Sequence, residues 1–183
     1  MIKESNRYYG KYRGTVINNI DPEQRGRIMA IAPDVQGLIP LSWALPCVPI
    51  ASKLGGTFMV PQIGAGVWME FEQGDPDYPI WVGGFWGIAA ELPLAALAGN
   101  PLAPSIVLQS TLQQAVIISD MAPTVPPPVM PPLPTTGGII LRSATGASIV
   151  VNDLGIFINN GKGASIEMIG PSVMINKVAL VVT

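Results

Sequence analysis

The sequence predicts an all-β chain, a small closed barrel followed by a ladder of short strands that needs partners. Three observations lead there. The first half alternates β-prone runs with Gly/Pro turns, the second half repeats itself at short period, and helical periodicity is absent throughout. Residues 1–86 read as the barrel, 87–105 as a connector, and 106–183 as the repeat-built half, interrupted by a proline-rich insertion at 121–136.

In the barrel, residues 8–16 (YYGKYRGTV) form the first β-prone run. Asp21-Pro22-Glu23-Gln24-Arg25-Gly26 then makes a turn, in which Pro presets φ, Asp caps and Gly tolerates positive φ. Further strands are expected at 27–32, 53–60, 66–72 and 79–85, which together suffice for a small closed barrel. In the fourth, Val67, Met69 and Phe71 alternate with Trp68, Glu70 and Glu72, the mark of a half-buried strand with both Glu on the wet face. Gln73–Tyr78 supplies the next turn, with Gly74, Asp75, Pro76 and Asp77 suited to tight geometry, and Ile80 and Val82 are expected to resume the inward alternation. The paired carboxylates thus have a sufficient local explanation as turn and surface groups; a glycosidase-like or metal-binding pair is the sharper alternative. Trp81, Phe85 and Trp86 read as core or subunit contacts.

The connector is rich in Ala, Leu, Pro and Gly and has room for one short helix. In the last part, the block starting at Gly138 recurs seventeen residues on at Gly155, and a shortened copy starts at Ser172. An earlier copy, Ile106-Val107-Leu108 with Val116-Ile117-Ile118, aligns at an offset of 33 residues. Each copy holds two strands, and each strand carries an apolar i, i+2 pair: Ile139/Leu141, Ile149/Val151, Ile156/Ile158, Ile166/Met168, Val173/Ile175 and Leu180/Val182. Period 2 places both members on one face. A lone ladder would expose that face and two open edges. Burying side chains of this size is worth about 1.5–3 kcal/mol each, so packing against other copies is favoured, as a trimer of triangular cross-section with these pairs on its axis. A single-chain β-helix is the alternative. The insertion, with seven prolines in sixteen residues, cannot join a ladder. It reads as a polyproline spacer, or as a strap gripping a neighbouring subunit through Val125, Val129, Met130 and Leu133.

Charged residues make up only 12% of the chain, which again implies surface hidden against partners. The ten Lys and Arg are scattered, against a nucleic-acid footprint. The polar start shows no signal peptide, and Glu91 and Pro93 break the most apolar window, so no membrane span is expected. Cys47, the single cysteine, reads as a packed thiol, with no intrachain disulfide available to it. The absence of His removes His-based acid–base and triad chemistry and most zinc sites. An enzyme would have to run on carboxylates, Lys or Tyr; the carboxylate candidates are Asp120, Asp153 and Glu167, but Asp120 and Asp153 hold equivalent repeat positions and so read as recurrent turns. No catalytic residue, cofactor or metal is expected.

The segments Gly14-Thr15-Val16, Asp21-Pro22-Glu23 and Gly26-Arg27-Ile28, the run from Pro61 through Gly74-Asp75-Pro76-Asp77-Tyr78-Pro79, and Gly83-Gly84-Phe85-Trp86 together resemble the OB-fold domain of phage baseplate assembly protein V. The wider group comprises the central spikes of contractile tails and the matching part of type VI VgrG proteins. The repeat half looks like the β-helical or prism spike that follows this domain. The resemblance implies an N-terminal OB-fold barrel followed by a C-terminal intertwined trimeric β-helix/β-prism spike. It also implies a homotrimer of the tail baseplate or of a related contractile injection particle, docked under a separate hub protein and driven through the target envelope on sheath contraction. With no His, an iron-binding tip is not expected, and the length leaves no room for an inserted lysozyme or fused hub domain. The apolar end, Ala179 to Thr183, suggests self-capping or a separate tip protein. The competing function is an OB-fold module binding single-stranded nucleic acid or carbohydrate, with a β-solenoid tail.

Overall fold

The computed structural model describes residues 6–97, 101–121, 137–177 and 179–182. It divides into two units, Met1–Glu91 and Leu92–Thr183. From residue 122 on, the proline-rich insertion lies outside the described residues, and with it the choice between spacer and strap.

The first unit contains β1 (Tyr12–Asn18), β2 (Met29–Ile31), a four-residue helix α1 (Pro33–Gln36), β3 (Leu45–Pro46), the two-residue strands β4 (Ala51–Ser52) and β5 (Gly55–Gly56), β6 (Gly66–Phe71) and β7 (Pro79–Phe85). The main sheet runs β2-β1-β6-β7-β3, antiparallel except for the parallel β3–β7 pair. Its two ends meet. Ala44, just before β3, exchanges backbone hydrogen bonds of 2.8 and 3.2 Å with Ile28, just before β2, and the Leu41 N–H donates to the Ala30 carbonyl at 2.9 Å. Closure of this kind leaves few free edges. The interior is filled by Val16, Ile28, Ala30, Leu41, Val67, Met69, Phe71 and Trp81, all buried.

Strand β6 alternates as expected, with Val67, Met69 and Phe71 buried and Trp68 and Glu70 half-buried on the other side. Strand β7 differs from expectation. Pro79 and Trp81 point inward, while Ile80 and Val82 are half-buried. The turn sets this parity by placing Pro79 opposite the buried Phe71, and a bulge then skips Val82, so that Trp68 faces Gly83 while Met69 faces Trp81. The Trp81 indole takes the interior position and its Nε1–H donates to the Gly26 carbonyl at 3.1 Å. Two other expectations are corrected. The first strand starts at Tyr12 rather than residue 8, after Gly10 at φ 91°. Residues 53–60 do not form one strand, because Lys53 and Leu54 are the turn of the β4–β5 hairpin and the chain beyond Gly56 is irregular.

The first unit ends in a 3-10 turn, Ala89–Glu91, and the second begins with a four-residue helix α2 (Leu94–Leu97). Eight strands follow: β8 (Ile106–Gln109), β9 (Ala115–Ser119), β10 (Gly138–Arg142), β11 (Ala147–Asn152), β12 (Gly155–Asn160), β13 (Ser165–Ile169), β14 (Ser172–Ile175) and β15 (Leu180–Val182). They lie in strict chain order, every neighbour antiparallel. A single-chain β-helix would stack parallel coils; the described strands form an open meander instead. The seventeen-residue repeat has a steric cause at its first position. A Cβ on Gly138 would sit 2.5 Å from the Val151 carbonyl oxygen, and one on Gly155 would sit 2.0 Å from that of Met168. Both glycines let a neighbouring backbone approach where no side chain fits. Tight turns are held by asparagines: Asn152 Oδ1 accepts from the N–H groups of Leu154 and Gly155, and Asn160 Oδ1 from those of Lys162 and Ala164.

Candidate assembly surface

The register of the meander aligns the apolar pairs into two unbroken columns on one face. One runs Ile106, Ile118, Ile139, Val151, Ile156, Met168, Val173 and Val182, each opposite the next across the ladder. The other runs Leu108, Val116, Leu141, Ile149, Ile158, Ile166, Ile175 and Leu180. All twelve residues singled out from the sequence lie in these columns, which start two strands earlier than those residues alone indicate. The columns are largely open to solvent in the single chain: Leu108, Val116, Ile118, Ile139, Leu141, Ile149, Val151, Ile156, Ile158, Ile166, Ile175 and Leu180 keep 36–59% of their surface exposed, while Met168 and Val173 are half-buried. Contiguous apolar surface on this scale marks an interaction face.

The opposite face, which from the sequence reads as an imperfectly hydrophilic outer side, is partly a core. Ala115, Ile117, Ile140 and Val150 are buried together with Ala95 of α2, and Val107 and Phe157 flank them. The signal was available, since the residues between the pairs are apolar in β9 through β12 and turn polar at Glu167. The three carboxylates considered for catalysis lie apart in the chain's elements: Asp120 follows β9, Asp153 sits in the β11–β12 turn, and Glu167 is within β13. Among the described residues no group of three or more Cys, Asp or Glu is gathered as a metal-ligand set, and no helix is long and apolar enough to cross a membrane.

The signature turns of the barrel are structural locks. Asp21 is buried and accepts from the backbone N–H groups of Glu23, Arg25 and Arg27 at 2.9, 2.8 and 3.2 Å. The Arg27 side chain donates to Asp21 Oδ1 through Nε at 3.0 Å and Nη2 at 2.6 Å. That guanidinium, aided by the backbone donors and opposed by burial, holds the Asp21 carboxyl well below the usual carboxylate range. Arg27 also lies over Trp43, 5.5 Å from the ring centroid. Pro22 follows Asp21, and Gly26, at φ 74°, presents its carbonyl to Trp81. In the second turn, the carbonyl of buried Gly74 accepts from the Tyr8 N–H at 2.8 Å. Asp75 accepts from the Asp77 N–H at 3.1 Å, across Pro76 in the chain, and from Arg7 at 3.0 Å, and the Asp77 carbonyl accepts from Ser42 at 2.9 Å. Glu70 pairs with Lys11. Acid–base partners and turn hydrogen bonds thus occupy Glu70 and Asp75. Arg13 lies over two neighbouring rings, 5.4 Å from that of Trp68 and 5.1 Å from that of Phe85, a local cation–π contact.

Residues 12–86 match the Type VI secretion system/phage-baseplate injector OB domain, and residues 105–181 match the phage baseplate V C-terminal trimerisation domain. No curated protein matches the chain.

Proposed function

The chain belongs to the phage baseplate V family, and from that membership we propose that it is the central spike of a contractile injection apparatus. The family's members are structural baseplate components, and a trimerisation domain supports a homotrimer. In the proposed assembly three meander sheets turn their double columns toward one shared axis. The barrels dock beneath a separate hub protein, a separate tip protein caps the far end, and the shaft is driven through a target envelope when the sheath contracts. The work is mechanical and needs no catalytic group.

The observation that carries this reading is the pair of apolar columns, continuous across all eight strands and open in the single chain. Covering the exposed part of each such side chain is worth about 1 kcal/mol, repeated along the length of every chain. The scatter of the cations argues against the nucleic-acid reading, and Arg7, Lys11, Arg25 and Arg27 each meet a carboxylate. Ile158→Asp tests the axis. It places a charge in each copy at the centre of the shaft, where three like charges would be buried together. The trimer is expected to be lost by native mass measurement; an assembly of unchanged mass and stability would remove the columns from the axis.

A further inference from the structure

The β4–β5 hairpin of the barrel carries an apolar side chain that nothing in its own chain explains. Ser52 pairs with Gly55, which leaves Lys53 and Leu54 as the turn. Leu54 has φ 61° and is 100% exposed. A turn position with positive φ ordinarily takes Gly or Asn, because a larger side chain strains the backbone there. Leu54 therefore bears two costs at once, a left-handed backbone and a fully wetted apolar side chain.

Beside the hairpin lies a groove of about 220 Å³, walled mainly by the apolar Pro46, Val48, Ile50, Phe58, Met59 and Trp81, with Arg25 also in its lining. Phe58 and Met59 are themselves exposed. Between residues 45 and 66 the only charged side chain is Lys53. One chain thus offers an apolar projection and an apolar recess in the same segment. Leu54 does not fill its own groove, since it is wholly exposed.

We propose that Leu54 of one barrel inserts into the groove of the next barrel, a head-to-tail contact that closes as a ring of three. Heterologous contacts between identical chains close only when a rotation axis demands it, and the trimerisation domain supplies a three-fold axis. This rests on the homotrimer reading. The barrel is tethered to that domain by residues 87–104, so its local concentration around the axis reaches the millimolar range. A contact of one leucine, too weak to join free barrels, forms under that tether. It also accounts for the retention of a leucine where glycine would relieve the backbone.

The test uses the full-length protein with Cys47→Ser as background, to which Leu54→Cys and Met59→Cys are added together. Met59 is 61% exposed, so its replacement leaves the barrel core intact. Native mass is measured first. After oxidation and unfolding without reductant, the double variant is expected to run as a covalent trimer that reductant dissolves, while each single variant runs as one chain. A native trimer that gives only single chains overturns this contact and leaves the homotrimer standing, whether the groove is empty or serves a hub protein. A native monomer overturns both. Leu54→Asn gives an independent sign. It relieves the left-handed backbone and removes wetted apolar surface, so a leucine facing only water predicts a barrel Tm that holds or rises. Docking predicts a fall of several degrees.

Discussion

The barrel and the meander use the same material, short strands with apolar alternation, and finish differently. In the barrel, Ile28, Ala30, Val67 and Met69 are completely buried within one chain, because the sheet curls until Ala44 meets Ile28. The meander has no such return. Its strands stay in chain order, its ends β8 and β15 remain apart in the ladder, and one face keeps its isoleucines open. Closure within a chain makes a core; an open sheet with the same alternation leaves an apolar face uncovered in the single chain. The number of strands and the hydrophobic fraction do not separate the two, but the path of the edges does.

Perturbing one region at a time should break this comparison cleanly if it is right. Ile158→Asp has the largest expected effect: loss of the trimer, while the barrel's Trp81 environment, read by fluorescence, is retained. Met69→Ala in the barrel should do the reverse. It should cost about 2–5 kcal/mol of barrel stability by leaving a cavity at a fully buried site, lowering the barrel's Tm without changing the native mass. Acidification gives a graded contrast. Because Asp21 has a depressed pKa in the fold, its stabilisation is present above its unfolded pKa of about 4 and is lost as pH falls through the folded value. The barrel's Tm should hold from neutral pH to about 4 and drop below it. Asp21→Asn should lower the Tm at neutral pH and flatten that acid slope. The smallest effect belongs to Asp153→Asn in the β11–β12 turn, expected within about 0.5 kcal/mol of the parent protein with the assembly intact.

How much of this was legible beforehand follows the same division. Period-2 alternation revealed β6 and all six named pairs, and the register then proved them continuous, because local pattern dictates which face a strand residue takes. The bounds of β7 were legible, but its inward side was not. Parity there depends on where the turn delivers Pro79 and on a bulge at Val82, and both are decided by partners distant in sequence. The β4–β5 hairpin was hidden because its turn uses Lys53-Leu54 in place of a glycine-bearing pair, with the glycines displaced into the strand. The buried face of the meander, Ile117, Ile140 and Val150, reads in the sequence as an imperfectly hydrophilic outer side, because period 2 sets it opposite the pairs without showing what covers it. The Asp21 turn was read as a turn, but its Arg27 partner was not seen, since a salt bridge across six residues leaves no periodic trace.

The central claim is that the double column, and not the opposite face, lines the shared axis. Strands β13 and β14 carry a methionine for each side: Met168 stands in a column, while Met174 lies opposite Glu167 on the other face. Peroxide oxidation of the native protein, followed residue by residue by mass spectrometry, compares them within one molecule. The account predicts that Met174 oxidises while Met168 is protected, and that Ile158→Asp removes the protection. Oxidation of Met168 as fast as Met174 in a native trimer would contradict it.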